Sequence, residues 1–211
     1  MKTLKKIKAF RFILILALVF STFMGCKKDD SASGINSGGA YKAIPIIGTQ
    51  GAMGVKLTDD FAIAGLAEVN VEIANLQVHY TDAKIGNDGW VSLGVEARVY
   101  NLLDLQHNAT VILAENTHLP LGQISQVRMS FGTHNSVVVF DNEKRLLYPM
   151  IIATGPAADV NLNVVSKIRN DKNLVVVLSF NSATSVNNKE GTYIMHPSVE
   201  VKSISLGLDT E

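Results

Sequence analysis

Cysteine occurs once in these 211 residues, so no intramolecular disulfide can staple the fold. Proline is scarce as well, with five copies, and leaves long extended runs unbroken. Aromatic residues are few, at 7%. After Phe20 no apolar run approaches the ~20 residues that a membrane-spanning helix needs. No Lys/Arg-rich cluster appears after Lys28, which argues against a phosphate-backbone partner and therefore against nucleic acid. There is no Gly-x-Ser-x-Gly elbow, no phosphate-binding loop and no dinucleotide fingerprint. The five histidines, His79, His107, His118, His134 and His196, are dispersed, with no two at metal-ligand spacing. No catalytic residue, metal site or cofactor is expected from these patterns.

What is present begins with the first 25 residues. Lys2, Lys5, Lys6, Lys8 and Arg11 form a basic stretch without an acid. Phe12 to Phe20 follows as an uninterrupted apolar run, and Gly25-Cys26 comes soon after. A basic start, a short apolar helix and a small residue before the cut site describe an export signal over 1–25. The segment Phe23-Met24-Gly25-Cys26 resembles the bacterial lipobox, in which the thiol of the new N-terminal cysteine takes a diacylglyceryl group. The family prefers Leu at the first of these positions and a small residue at the second; Gly25 and Cys26 fit. The resemblance implies a membrane anchor on Cys26. Each buried methylene contributes ~0.8 kcal/mol, and two or three chains hold where one is marginal.

Lys27-Lys28-Asp29-Asp30 resembles the lysine-plus-acidic-pair signal that carries lipoproteins to the outside of the outer membrane in Bacteroidetes. It implies a cell-surface location, with a periplasm-facing anchor as the alternative. Asp30-Ser31-Ala32 resembles the three-residue O-glycosylation site of the same bacteria, which would place a glycan on Ser31.

The whole chain has 19 basic and 19 acidic residues. Residues 1–25 hold five of the bases and none of the acids, so the remainder carries 14 against 19, a net of −5. Ser31 to Ala40 is small, polar and glycine-rich, and 26–40 reads as a lipidated cysteine on a flexible tether. Residues 41–211 suit a single domain.

That domain reads as strands. Gly54 to Thr58 alternates. Val69, Val71 and Ile73 alternate in one phase and Leu76, Val78 and Tyr80 in the other, so a bulge is expected near Ala74-Asn75, with two strands joined by a tight bend as the alternative. Gly86-Asn87-Asp88-Gly89 predicts a hairpin turn into Trp90. Leu102 to Asn116 suits short helical turns as well as strands. Gln123 to Phe131, Ser136 to Phe140 and Val160 to Val164 are strand-like, with a turn at Asp141 to Lys144. Leu174 to Phe180 is apolar on both faces and reads as a central strand. Tyr193 to Leu206 alternates around Pro197. The expectation is an all-β antiparallel sandwich, Ig-like or transthyretin-like, of roughly seven to nine strands.

The order of these segments resembles domain-of-unknown-function family 4382, found in lipoproteins of Bacteroidetes and other bacteria. The pieces that carry it are Val69 to Ile73 leading to Val78-His79-Tyr80, then Gly89-Trp90-Val91, Tyr100 to Leu105, and Leu119 to Gly122. Gln126-Val127-Arg128, Asn135 to Val139 and Tyr193 to Val199 complete it. Where the family usually has Asp-Phe-Asp, this chain has Ser179-Phe180-Asn181. Its Leu-Lys-Pro appears as Met195-His196-Pro197. The resemblance implies a fold and a location and no activity.

Candidate side chains are sparse. Asp59-Asp60 and the pair Asp82 and Asp88 read as solvated turn acids. A carboxylate pair for glycoside hydrolysis needs a separation that sequence spacing does not set. Trp90, Tyr80 and Tyr100 read as core aromatics, with a sugar-stacking platform as the alternative. The loops Thr81 to Gly89, Gly132 to Asn135 and Asn181 to Gly191 are the expected contact regions. The expectation is a lipid-anchored, non-catalytic binding or structural module whose ligand is a glycan or a protein. The alternatives are a subunit of a surface complex or filament and, behind it, a secreted hydrolase.

Overall fold

A computed structural model describes residues 50–61, 63–82, 87–153 and 158–208. Cys26, Lys27, Lys28, Asp29, Asp30, Ser31, the export helix and the tether lie outside the described residues.

The described chain opens with β1 (Gln50–Asp59), β2 (Glu68–Asp82), β3 (Asn87–Ser92) and β4 (Arg98–Asn101), then a 3-10 turn over Leu102–Leu105. Next come β5 (Val111–Pro120), β6 (Gly122–Phe131), β7 (Ser136–Asp141), β8 (Lys144–Ile152), β9 (Asp159–Ile168) and β10 (Lys172–Phe180). One helical turn, α1 (Ser182–Ser185), precedes β11 (Val186–Lys189), β12 (Thr192–Met195) and β13 (Val199–Leu208).

The strands form the expected all-β sandwich. The small sheet runs β13-β10-β1-β5, and the large one has nine strands along β11-β12-β8-β7-β2-β6-β9, with β3 and β4 also paired to β2. Most neighbours are antiparallel, but β1–β10 and β8–β12 are parallel. The thirteen described strands outnumber the seven to nine expected: β11 falls in a stretch that reads as a polar loop, and the Tyr193 to Leu206 run is divided at Pro197 between β12 and β13.

Apolar alternation decides which face each strand buries. Met53, Val55 and Leu57 of β1 and Leu174, Val176, Leu178 and Phe180 of β10 are fully buried. β10 lies between β1 and β13, as its two-sided apolar sequence requires. Across the core, β2 presents Val69, Val71 and Ile73 and then Leu76, Val78 and Tyr80, all fully buried. The change of phase is absorbed by a register shift between Ile73 and Asn75, which is the expected bulge. Phe131 and Phe180 meet edge to face at 6.1 Å and tie the two sheets together.

Both flanks of β2 are broken strands. On one side β3 pairs with Gln77–Asp82 and β4 with Asn70–Ile73. On the other, β6 pairs with Ile73–Thr81 and β7 with Glu68–Asn70. The insertion Gly132–Asn135 separates β6 from β7, so the sheet forks there into β6–β9 and β7–β8–β12.

Turn chemistry follows the sequence closely. Asn142 and Glu143 both have positive φ (47° and 67°), as a two-residue hairpin turn demands. Gly122 answers a different need. A Cβ there would run into the ring of Tyr80, whose hydroxyl donates to the Leu121 carbonyl at 2.8 Å.

Two expectations are corrected. Trp90 is not core: it lies half-buried on the outer face of the large sheet, because it pairs with His79, in the phase opposite to Val78 and Tyr80. Asp59 is not a solvated turn acid but fully buried, while Asp60 beside it is exposed.

Candidate functional site

The outer face of the large sheet carries the most organised polar surface in the described residues. Its rows follow from the ladder. His79 stands opposite Trp90 on β3 and Gln126 on β6, and Gln126 stands opposite Asn163 on β9. In the next row Gln77 stands opposite Ser92 and Arg128, and Arg128 opposite Asn161. Since Leu76, Val78 and Tyr80 point inward, these residues point outward.

Side-chain contacts fix the rows. The Arg128 guanidinium carbon lies 3.7 Å from the Trp90 ring centroid, a close cation–π stack. Its Nε donates to Asn161 Oδ1 at 3.0 Å. Gln77 between these strands is 2% exposed. The His79 ring meets Trp90 edge-on at 5.1 Å. Its Nδ1 lies 2.9 Å from the Ser125 hydroxyl and its Nε2 3.6 Å from Asp88. Thr81 donates to Asp88 at 2.8 Å and Gln126 to Asn163 at 3.2 Å.

A second zone lies on the same face beyond the fork. Phe140, Leu147 and Ile151 are 62%, 68% and 59% exposed, on the outward phase of β7 and β8. Ile194 of β12 stands level with Ile151. A groove of about 300 Å³ runs beside them, lined by Gly132, Thr133, Asn135, Pro149, Met150, Ile151 and Ile152. Arg145 and Glu68 form an ion pair near the strip. The Gly132–Asn135 loop is pinned by Glu72, whose Oε2 accepts from the backbone and the ring of His134, both at 2.8 Å. These bonds hold the Glu72 carboxyl below its ordinary value, the backbone N–H of His134 foremost. A Cβ at Gly132 would strike that carboxylate.

The acids at the end of β1 divide by environment. Asp59 Oδ1 accepts from the N–H groups of Phe61 and Ser182, at 3.2 and 3.3 Å, and Oδ2 has no partner among the described residues. Burial raises its pKa, against the pull of Ser182 and Phe61. Asp60 instead pairs with the Lys202 ammonium at 2.7 Å and accepts from the Ser179 hydroxyl at 3.1 Å, which lowers its pKa, Lys202 contributing most. Lys202 also donates to Asn108 at 3.3 Å. It is the extra residue of a bulge, between the pairs Val201–Leu178 and Ser203–Val177. So Ser179, at the position where the resembled family usually has an acid, serves as a donor to Asp60. Among the described residues no three His, Cys, Asp or Glu side chains gather as a metal site would.

Of the sequence-level candidates, Tyr80 is core, Tyr100 is half-buried under Arg98, and Trp90 and Asp88 join the outer rows. The Asn181–Gly191 stretch is α1 and a hairpin rather than a plain loop. Sequence reasoning missed Arg128, Gln126, Asn161 and Asn163. The available signal was the polar phase of the alternating strands, which is as regular as the apolar one.

No curated protein and no solved structure matches the chain. A family model described as a domain of unknown function, DUF4382, matches residues 50–197, from β1 through β12, and the chain belongs to that family.

Proposed function

We propose that the protein is a non-catalytic binding module, held at the outer membrane by lipid on Cys26 and displayed at the cell surface, with the outer face of the nine-stranded sheet as its contact surface. The observation that carries this reading is the pair of cross-strand rows around Trp90, His79, Gln126 and Arg128, fixed to one another on a rigid sheet. Such a face presents hydrogen-bonding groups in a set geometry before the ligand arrives, which reduces the entropy cost of binding. Three of the acids are already engaged: Glu72 by His134, Asp60 by Lys202 and Glu68 by Arg145. A carboxylate so neutralised is poorly placed as a general acid or base.

The full chain in detergent, screened on a glycan array and against a panel of glycosidase and esterase substrates, tests this. Binding without turnover is expected. Turnover that disappears when one acid or histidine is replaced would make the protein an enzyme instead.

A further inference from the structure

Arg128 differs from Arg145 and Lys202 in its partners and from Arg98, which lies exposed over Tyr100, in its burial. Arg145 and Lys202 each face a carboxylate, Glu68 and Asp60. Arg128 is half-buried, stacked on Trp90 and tethered through Nε to Asn161, yet no carboxylate among the described residues is within ion-pair distance. A partly desolvated cation gains from a partner anion. With Nε engaged, its two Nη groups remain as a planar fork suited to one carboxylate. The groups around Arg128 are mainly carboxamides and hydroxyls: Gln126 and Ser130 on its own strand, Asn161 and Asn163 on β9 and Ser92 on β3, with the Asp88 carboxylate set beyond Trp90 against His79. Each carboxamide carries two N–H donors and two lone pairs, more than the one side-chain bond it makes here uses.

Resting on the binding-module reading, and naming its ligand class, we infer that Trp90 and Arg128 form a subsite for a carboxylate-bearing sugar, a pyranose acid within a longer glycan. The carboxylate sits on the Arg128 fork. Because that fork lies against the indole, the sugar ring is brought beside Trp90 and gains van der Waals contact along it. Ring hydroxyls meet groups that both donate and accept. An acidic peptide fits less well. Extended peptides are captured through unpaired main-chain groups at a strand edge, and β6, which carries Arg128, is paired on both sides; the one-sided strands β3 and β9 lie to either side of it.

The full-length protein in detergent is titrated calorimetrically with oligogalacturonate, oligoglucuronate and polysialate, with the methyl-esterified form of whichever binds, and with polyglutamate. At least one acidic glycan binds, more weakly as salt rises. Esterification weakens it about tenfold or more, the size of a lost charge-assisted bond. Arg128→Gln gives the same loss of affinity with the melting temperature lowered by only a few degrees, the cost of its stack on Trp90, and Arg128→Lys restores only part of the affinity because the fork is gone. Ser205→Ala, on the opposite sheet, changes nothing. Equal affinity for acid and ester, unchanged affinity in Arg128→Gln, equal binding of polyglutamate, or no binding of any of the three glycans overturns the inference. In that last case, a neutral glycan or a protein bound at the same face would still uphold the binding-module reading.

Discussion

Tyr80→Ala should lower the unfolding free energy by about 3–5 kcal/mol, the usual cost of emptying a large aromatic site in a core. Trp90→Ala should cost only about 1 kcal/mol, close to the worth of its cation–π contact. The two aromatics sit ten residues apart on a single hairpin, on opposite faces of it. Tyr80 is fully buried, anchored by its hydroxyl to Leu121 and set against Gly122. Trp90 lies outside the core, with Arg128 on its ring and His79 at its side. At the ~2–4 °C per kcal/mol typical of a domain this size, the melting temperatures of the two variants should separate by roughly 10 °C. Equal destabilisation would mean that Trp90 is part of the core after all.

Cys26→Ala should abolish lipid labelling and release or mislocalise the protein. If Cys26 carries two or three acyl chains, which anchor where one is marginal, removing the thiol removes the anchor. Among the described residues no helix is long and apolar enough to cross a membrane. Metabolic labelling with a fatty-acid analogue reads the same event chemically. Adding protease to intact cells then reports the side of the membrane. The native protein is digested, whereas replacing Lys27, Lys28, Asp29 and Asp30 by alanine protects it. Lipid labelling and membrane retention unchanged in Cys26→Ala would refute the anchor, and protection of the native protein until lysis would place it in the periplasm.

Much of the fold was legible because burial imposes a period of two on every strand. The phase slip at Ala74-Asn75 announced a bulge, and Leu174 to Phe180 announced the middle of a sheet; both are where alternation placed them. The misread elements share a cause. β11 is four residues long, too short to display a period, and its polar Asn187-Asn188-Lys189 reads as loop, whereas β12 merges in the sequence with the Tyr193 to Leu206 run. The parallel pairing of β1 with β10 joins segments more than a hundred residues apart, and no local pattern encodes it.

The surface was harder to read for a related reason. Trp90 has the chemistry of a core residue, and only its register opposite His79 puts it outside. Asp59 and Asp60 are adjacent acids with opposite fates, because Asp59 ends β1 under the Ser182 turn while Asp60 lies past the strand end beside Lys202. Arg128, Asn161 and Asn163 form a row only once β6 and β9 are known to be neighbours.

The central claim is that ligand contacts the outer face of the nine-stranded sheet, and steric blocking tests it most directly. Asn163→Cys places an exposed thiol in the Gln126 row, and Ser205→Cys places one on the opposite side of the sandwich. Each variant is coupled to a bulky maleimide, and its binding to the ligand found in the array screen is compared before and after labelling. The account predicts that the label at Asn163 abolishes binding and the label at Ser205 leaves it intact. Loss of binding from the Ser205 label alone would contradict it and move the contact surface to the four-stranded sheet.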